Sequence, residues 1–353
     1  MAIVFGLLFA ALASPLIAQS LLNATALDPQ LSDFNDLLLA NPDAAAGLLT
    51  NFSSGRQKQT ILVPSNGAFD NYRLRTGSSF SSLSSADLGN VLNYHTLQGA
   101  LSSADLQTPG GLVSSTALLN TTYDDREVLK GSNARLSQVV YISTASSARG
   151  AKIVARQAAG LSSPDLRSGE GNEVTLNPTP GIWSGGTFYV VDGDHSFLTL
   201  PVNQTNTMTA RGLNSMVLGL SRTNVTDGTN AAKGLTCVCP TDEAFAVFGD
   251  LANTMANLTA GLGSLLATLT RHGLTGSYYT TNFTDGDLIQ SQNGYPILVT
   301  RRNGSIFLND AQLVGTNYIA RTGAVHALDR VCAIFYFYQE VAQACGLLVA
   351  LMI

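Results

Sequence analysis

Four histidines, four cysteines and a scatter of acidic side chains are what this 353-residue chain offers for chemistry. The most compact group is Asp192-Gly193-Asp194-His195, whose carboxylates and imidazole are oxygen and nitrogen ligands suited to a divalent cation. Asp and Gly are equally the residues of a turn after a strand, and the matching place in the second half reads Asp329-Arg330-Val331 with no such cluster. Cys237-X-Cys239 has no His and no second Cys pair at zinc-ligand spacing. No metal or cofactor is therefore expected. A secreted glycosidase would need two carboxylates about 5 to 10 Å apart across a cleft. Asp124, Asp125, Asp285 and Asp287 are available for that work, but nothing in their spacing marks them out. There is no Gly-X-Ser-X-Gly elbow, no Cys in a His-partnered motif and no Gly loop built to cradle phosphate.

The elements that would position such residues are written twice. ILVPSNGAF at Ile61 to Phe69 and CVCPTDEAF at Cys237 to Phe245 share an apolar run, a Pro, a hydroxyl residue and Ala-Phe. The run reads as a buried strand that Pro ends, and Ser65 or Thr241 can cap a following helix. Pro64 and Phe69 fall at the two positions of a hydrophobic staple, while Asp242 and Glu243 suit the positive end of a helix. Ahead of each corner, Leu27, Leu31, Phe34, Leu37 and Leu38, or Leu213, Met216, Val217 and Leu220, have amphipathic helix spacing. Behind each, Leu88, Val91, Leu92 and His95, or Leu262, Leu265, Leu266 and Leu269, form another such face that runs into Tyr94-His95 or Arg271-His272. Nearly the same interval separates Pro64 from His95 and Pro240 from His272.

An Asp-Leu pair follows each His, as Asp105-Leu106 and Asp287-Leu288. The second copy then predicts a hairpin, Ile297 to Thr300 and Ile306 to Leu308, around Asn303-Gly304. Each copy closes on a Gly-led strand, GTFYVVD at Gly186 to Asp192 and GAVHALDRV at Gly323 to Val331. The first copy is longer by an insertion of about 40 residues within Tyr123 to Trp183. Its LSSPDLRSGEGN part, Leu161 to Asn172, reads as an exposed loop.

This ordered set, VPSNGAF and CPTDEAF, NYHTL and TRHGL, Asp-Leu, then Gly-X-X-His-X-X-Asp, resembles two tandem fasciclin domains. The resemblance implies an α+β fold, each domain a β-sandwich-like sheet region flanked by helices, and adhesion or matrix attachment instead of catalysis. Tyr94 and His95 match the Tyr-His motif proposed in some animal members to contribute to receptor binding. The second copy has Arg271 before His272, and His326 fits the closing strand where the first copy has Tyr189. Tyr94, His95 and His272 are thus the adhesion candidates. For both histidines the alternative is a hydrogen-bonded structural role at a helix end.

Compartment and partners follow from composition. MAIVFGLLFAALASPLIAQS has the apolar run and small residues of a signal peptide over residues 1–18, cleaved near Ala18 or Ser20, with Ala13 an alternative. Asn-X-Ser/Thr acceptors at Asn23, Asn51, Asn120, Asn203, Asn224, Asn257, Asn282 and Asn303 fit a secreted glycoprotein. Cys237, Cys239, Cys332 and Cys345 are disulfide candidates with three complete connectivities. Cys237 and Cys239 share one face of a strand, so either pairing with Cys332 is expected in preference to a bridge between them. With 12% charged residues, a net charge of −5 and no basic cluster, nucleic acid is not an expected partner. The expected organisation is a first domain over 21–200, a second over 206–335 and an apolar tail over 336–353, whose segment from Ala333 is interrupted by Gln339, Glu340 and Gln343 and leaves membrane attachment open. The expected function is adhesion, or contact with matrix or cell wall, by a secreted or cell-surface glycoprotein. Its partner would be a receptor, a glycan or a second copy. A polysaccharide hydrolase and a glycan-presenting spacer are the rival readings.

Overall fold

In a computed structural model, the structure describes residues 19–49, 58–118, 137–144, 163–192, 197–247 and 262–332. The signal segment, the C-terminal tail with Cys345, the residues Asp124, Asp125, Asp194 and His195, and the acceptors Asn51, Asn120 and Asn257 lie outside them.

The first domain opens with helices α1 (Leu21–Thr25), α2 (Ser32–Ala40) and α3 (Ala46–Leu49). Strand β1 (Gln59–Pro64) then turns into α4 (Asn66–Thr76), and α5 (Ser85–Tyr94) follows. The sheet is completed by β2 (Thr96–Gln98), β3 (Leu112–Ser115), β4 (Val139–Ser143), β5 (Asp165–Arg167), β6 (Glu173–Leu176), β7 (Gly181–Trp183) and β8 (Gly186–Asp192). The second domain repeats the scheme with α6 (Gln204–Ala210), α7 (Asn214–Arg222), α8 (Thr226–Ala231), β9 (Leu235–Pro240), α9 (Asp242–Val247) and α10 (Leu262–Arg271). Its sheet adds β10 (Gly273–Thr275), β11 (Leu288–Gln290), β12 (Pro296–Arg302), β13 (Ser305–Leu308), β14 (Ala311–Ala320) and β15 (Gly323–Leu328).

Strand orders are β2-β1-β8-β6-β5-β4-β3, with β7 also on β8, and β10-β9-β15-β14-β13-β12-β11. Both domains are α+β. In each, the ends of the sheet meet through one bridge, Leu97 to Thr116 or Leu274 to Ser291, so the sheet curls back on itself. Each opening strand is buried on both faces, which is why its sequence is an unbroken apolar run. Ile61 and Val63, like Cys237 and Cys239, point to the helix layer, while Leu62 and Val238 point inside the curled sheet.

The repeated corner is a capped strand-to-helix turn. Ser65 Oγ accepts the Ala68 N–H at 3.1 Å and Thr241 Oγ1 accepts that of Ala244 at 3.2 Å. Ahead of the first corner, α2 buries Phe34, Leu37 and Leu38, and Leu31 is buried in the 3-10 turn that leads into it; Leu27 instead sits exposed before that turn. The Asn303-Gly304 hairpin forms, both residues with positive φ.

Two expectations need correction. The Asp-Leu pairs are not equivalent, because the matching bridges align Leu288 with Val113; Asp105-Leu106 lies earlier, in a 3-10 turn that buries Leu106. Leu161 to Asn172 is no exposed loop: from Ser163 on, it supplies β5 and buries Leu166, Arg167 and Ser168. The extra length of copy one lies between β3 and β4 and between β4 and β5, where copy two has short turns. Where β14 runs through with bulges near Gly315 and Tyr318, copy one splits into β6 and β7, because Pro178 and Pro180 carry no N–H for the ladder.

The Gly that leads each closing strand has a steric cause. At Gly186 and Gly323, φ is +144° and +157°, and a Cβ would collide with the carbonyl of Gln59 or Leu235 on the parallel neighbour. Gly323→Ala is therefore expected to cost at least about 2 kcal/mol, read as a lower urea midpoint with an unchanged slope.

Candidate functional site: paired helix-end histidines and the interdomain seam

His95 and His272 occupy matching sites, each at the C-terminal end of a helix and fully enclosed. The Nδ1–H of His95 donates to Val91 O at 2.9 Å, and its Nε2 accepts the N–H of Leu198 at 3.2 Å. His272 does the same with Thr268 O at 2.7 Å and the Cys332 N–H at 3.1 Å. Their own carbonyls accept the N–H of Leu62 and Val238, both at 2.8 Å. Each ring thus ties a helix end to the chain that leaves the closing strand. Since Nε2 must accept, the ring is the neutral Nδ1–H tautomer. Tyr94 is equally enclosed, with its hydroxyl on Val139 O at 3.0 Å. None of the three adhesion candidates presents its side chain at the surface.

Tyr189 and His326 are chemically equivalent despite their difference. Tyr189 Oη donates to Leu101 O at 3.1 Å, and His326 Nε2 donates to Tyr278 O at 3.0 Å. Those two carbonyls are the same place in the fold, because Thr60 Oγ1 accepts the Leu101 N–H and Thr236 Oγ1 accepts that of Tyr278, both at 2.7 Å. Sequence reading passed over this threonine pair, although Thr60 and Thr236 both stand four residues before the corner proline.

The cysteines do not pair as expected. Cys237, Cys239 and Cys332 are free and buried. Strand alternation places Cys237 and Cys239 in the helix-side core, whereas Cys332 sits in the core within the sheet. Burial raises the Cys239 thiol well above its ordinary range and pushes Cys332 up to about 12, which keeps both protonated and unreactive. Among the described residues, no three His, Cys, Asp or Glu side chains gather as a metal site.

Of the acceptor asparagines within the described residues, Asn23, Asn224 and Asn303 are exposed and Asn203 and Asn282 half-buried. Asn203 Oδ1 also caps α6 through the Asn206 N–H at 2.9 Å. Asp285 holds the Arg301 N–H at 2.6 Å, while Asp287 offers its main-chain carbonyl to the Val299 N–H at 2.8 Å.

A seam between the domains is the feature that composition concealed. Val139 and Tyr141 pack with Tyr279, Ile319 and Ala324. Arg167 is buried there, with Nε on Glu173 at 2.8 Å and Nη1 on the carbonyl and hydroxyl of Thr316. Arg211, lying over the Tyr318 ring at 5.2 Å, reaches back to Glu170 O and to Asn172 Oδ1. A Cβ on Gly169 would press on the Leu200 carbonyl, so the connecting chain passes against that peptide. Across the seam runs a line of donors. Asn317 Nδ2 donates to Thr280 Oγ1 at 2.7 Å, Thr280 to Tyr141 Oη at 3.2 Å, and Tyr141 to Gly110 O at 2.9 Å.

Two expectations follow. Arg167→Met leaves the buried Thr316 groups without their partner, while Glu173 stays partly solvated, and should cost about 2 kcal/mol, read as a lower unfolding midpoint. His95, His272 and His326 are each lowered to about 4, burial being the main cause. The unfolded chain binds these protons near pH 6.5 and the folded one only near 4, so stability is full above pH 6.5 and falls as pH drops toward 4. Each histidine contributes about 2 kcal/mol of that loss between pH 7.5 and pH 5, which urea unfolding at the two pH values would measure.

The Fasciclin domain family model matches residues 29–158 and 211–333. The closing strand β8 lies beyond the first matched stretch, yet pairs along β1. No curated protein matches the chain. A solved structure similar to it is a FAS1 domain pair from the insect cell adhesion molecule fasciclin I, 13% identical, covering 86% of this chain and 97% of that one at a TM-score of 0.38. With two ordered matches over more than half its length, the chain belongs to the fasciclin domain family as a tandem pair.

Proposed function

We propose that this protein is a secreted or cell-surface glycoprotein that mediates adhesion to cells, matrix or cell wall, with no catalytic step. Fasciclin domains are associated with cell adhesion, and membership in that family is the observation that carries the reading. The seam supports it physically: two domains held by a buried Arg167 and a shared apolar cluster offer a partner one preset surface. The partner is an extracellular receptor, a matrix or cell-wall glycan, or a second copy.

Tyr94, His95 and His272 serve this function from inside. They hold the helix ends and exit segments against the sheet, and recognition falls on the surface those segments form. Cell retention on a coated surface tests both parts. Wild-type protein should retain cells, and Tyr94→Phe, which loses one hydrogen bond worth about 1 kcal/mol, should retain them equally well. His95→Ala should lose retention and folding together, because the Leu198 N–H is left buried without its acceptor. If Tyr94→Phe keeps its unfolding midpoint but loses retention, the tyrosine acts by direct contact and the indirect role fails. Failure of wild-type protein to retain cells or matrix would remove the adhesion reading itself.

The spacer reading has one observation in its favour, the Asn303 acceptor at an exposed hairpin tip, where a glycan would extend into solvent. Enzymatic removal of glycans should leave retention unchanged if the protein surface makes the contact, and abolish it if the glycans do.

A further inference from the structure

One cleft of about 400 Å³ opens where the domains meet, walled by Pro109, Gly110 and Gly111 on one side and by Thr281, Phe283, Thr284 and Asp285 with Arg301 on the other. That second wall is a built loop. Arg301 Nε donates to Phe283 O at 2.7 Å and Nη2 to Thr280 O at 2.6 Å, while the Arg301 N–H donates to Asp285 at 2.6 Å. Phe283 is buried beneath it. The Tyr141 hydroxyl, joined to Gly110 and Thr280, ties the two walls together.

The centre of this loop is Asn282-Phe283-Thr284, a glycosylation acceptor whose flanking residues Thr281, Phe283 and Thr284 all line the cleft. Asn282 Oδ1 accepts the Tyr279 N–H at 3.0 Å, which orients the amide and leaves Nδ2, the atom that carries an N-glycan, uncommitted. Thr284, whose hydroxyl completes the acceptor, is exposed. We propose that Asn282 carries an N-glycan whose core sugars occupy the interdomain cleft, covalently held by the second domain and resting on Pro109 to Gly111 of the first.

The lining fits that occupant. Hydroxyls, a carboxylate, a guanidinium and glycine peptide groups bond to sugar hydroxyls and acetamido groups, and the volume, at the small end of ligand sites, holds one or two rings. Tethering decides between this glycan and a foreign saccharide. A group attached at the rim is present at an effective concentration in the millimolar range, so weak polar contacts suffice to seat it and a free sugar of similar affinity is excluded. The glycan then acts as a clamp across the seam, in contrast to one on Asn303, which meets only water.

This inference rests on the secretory reading, and the test separates the two. Full-length protein made through a secretory pathway is mapped by glycopeptide mass spectrometry at Asn23, Asn282 and Asn303. It is then treated, folded, with an endoglycosidase that cuts between the first two core sugars. The Asn282 glycan should be present and released at least tenfold more slowly than that of Asn303, with the difference abolished by denaturation. Amide exchange at Gly110 and Gly111 should rise in Thr284→Ala, which removes the acceptor, and stay low in Thr284→Ser, which keeps it. A bare Asn282 beside occupied Asn23 and Asn303, release at equal rates, or equal exchange in the two variants would each overturn the clamp and leave secretion standing. Glycan at none of the three would overturn both.

Discussion

Each domain depends on one pairing: the strand that enters the core and the strand that leaves it lie side by side and parallel, β1 with β8 and β9 with β15. Every other feature of the repeat serves that closure. Its backbone groups are buried, so each must find a partner. The leading glycine lets the closing strand approach the opening one. The capped corner then carries the chain away without breaking the ladder, since the Ser65 and Thr241 N–H groups bond to Val191 and Leu328 across the same two strands. The helix-end histidine finishes the closure by holding the exit segment.

What could be read in advance was what local chemistry encodes. The corner shows because proline, a capping hydroxyl and an apolar run each have a short-range cause, and the hairpin shows because Asn303-Gly304 adopts positive φ readily. What could not be read depends on partners distant in the chain. Ser163 to Asn172 has the composition of a loop, but Arg167 is enclosed by residues of the other domain, more than a hundred positions on. The place of Cys332 depends on which side of the sheet the exit segment takes, and no spacing from Cys237 reveals that. The exchange of Tyr189 for His326 looks like a lost motif until both are seen to donate to one conserved place in the backbone.

The seam and the histidines separate architecture from recognition. A residue type that recurs in a family motif invites a role in contact with a partner, yet in this chain the recurring Tyr-His element is enclosed. Removing a buried ring of this element lowers the stability of the whole domain, so a loss of binding in such a variant is read against its unfolding midpoint. The seam is more polar than either core, as contacts between domains commonly are. Its polar groups set one mutual arrangement, because a hydrogen bond such as Gln138 Nε2 to Arg321 O at 3.0 Å is met in one register only.

The parallel closure also governs how the chain can be made. A ribosome delivers β1 long before β8, and until Asp192 has emerged the apolar run Ile61-Leu62-Val63 has an unpaired edge on that side. Such an edge is a template for pairing with another nascent chain. Vectorial synthesis therefore leaves the first domain exposed to intermolecular association through most of its translation. The second domain, with shorter connections between its strands, closes sooner after its opening strand appears.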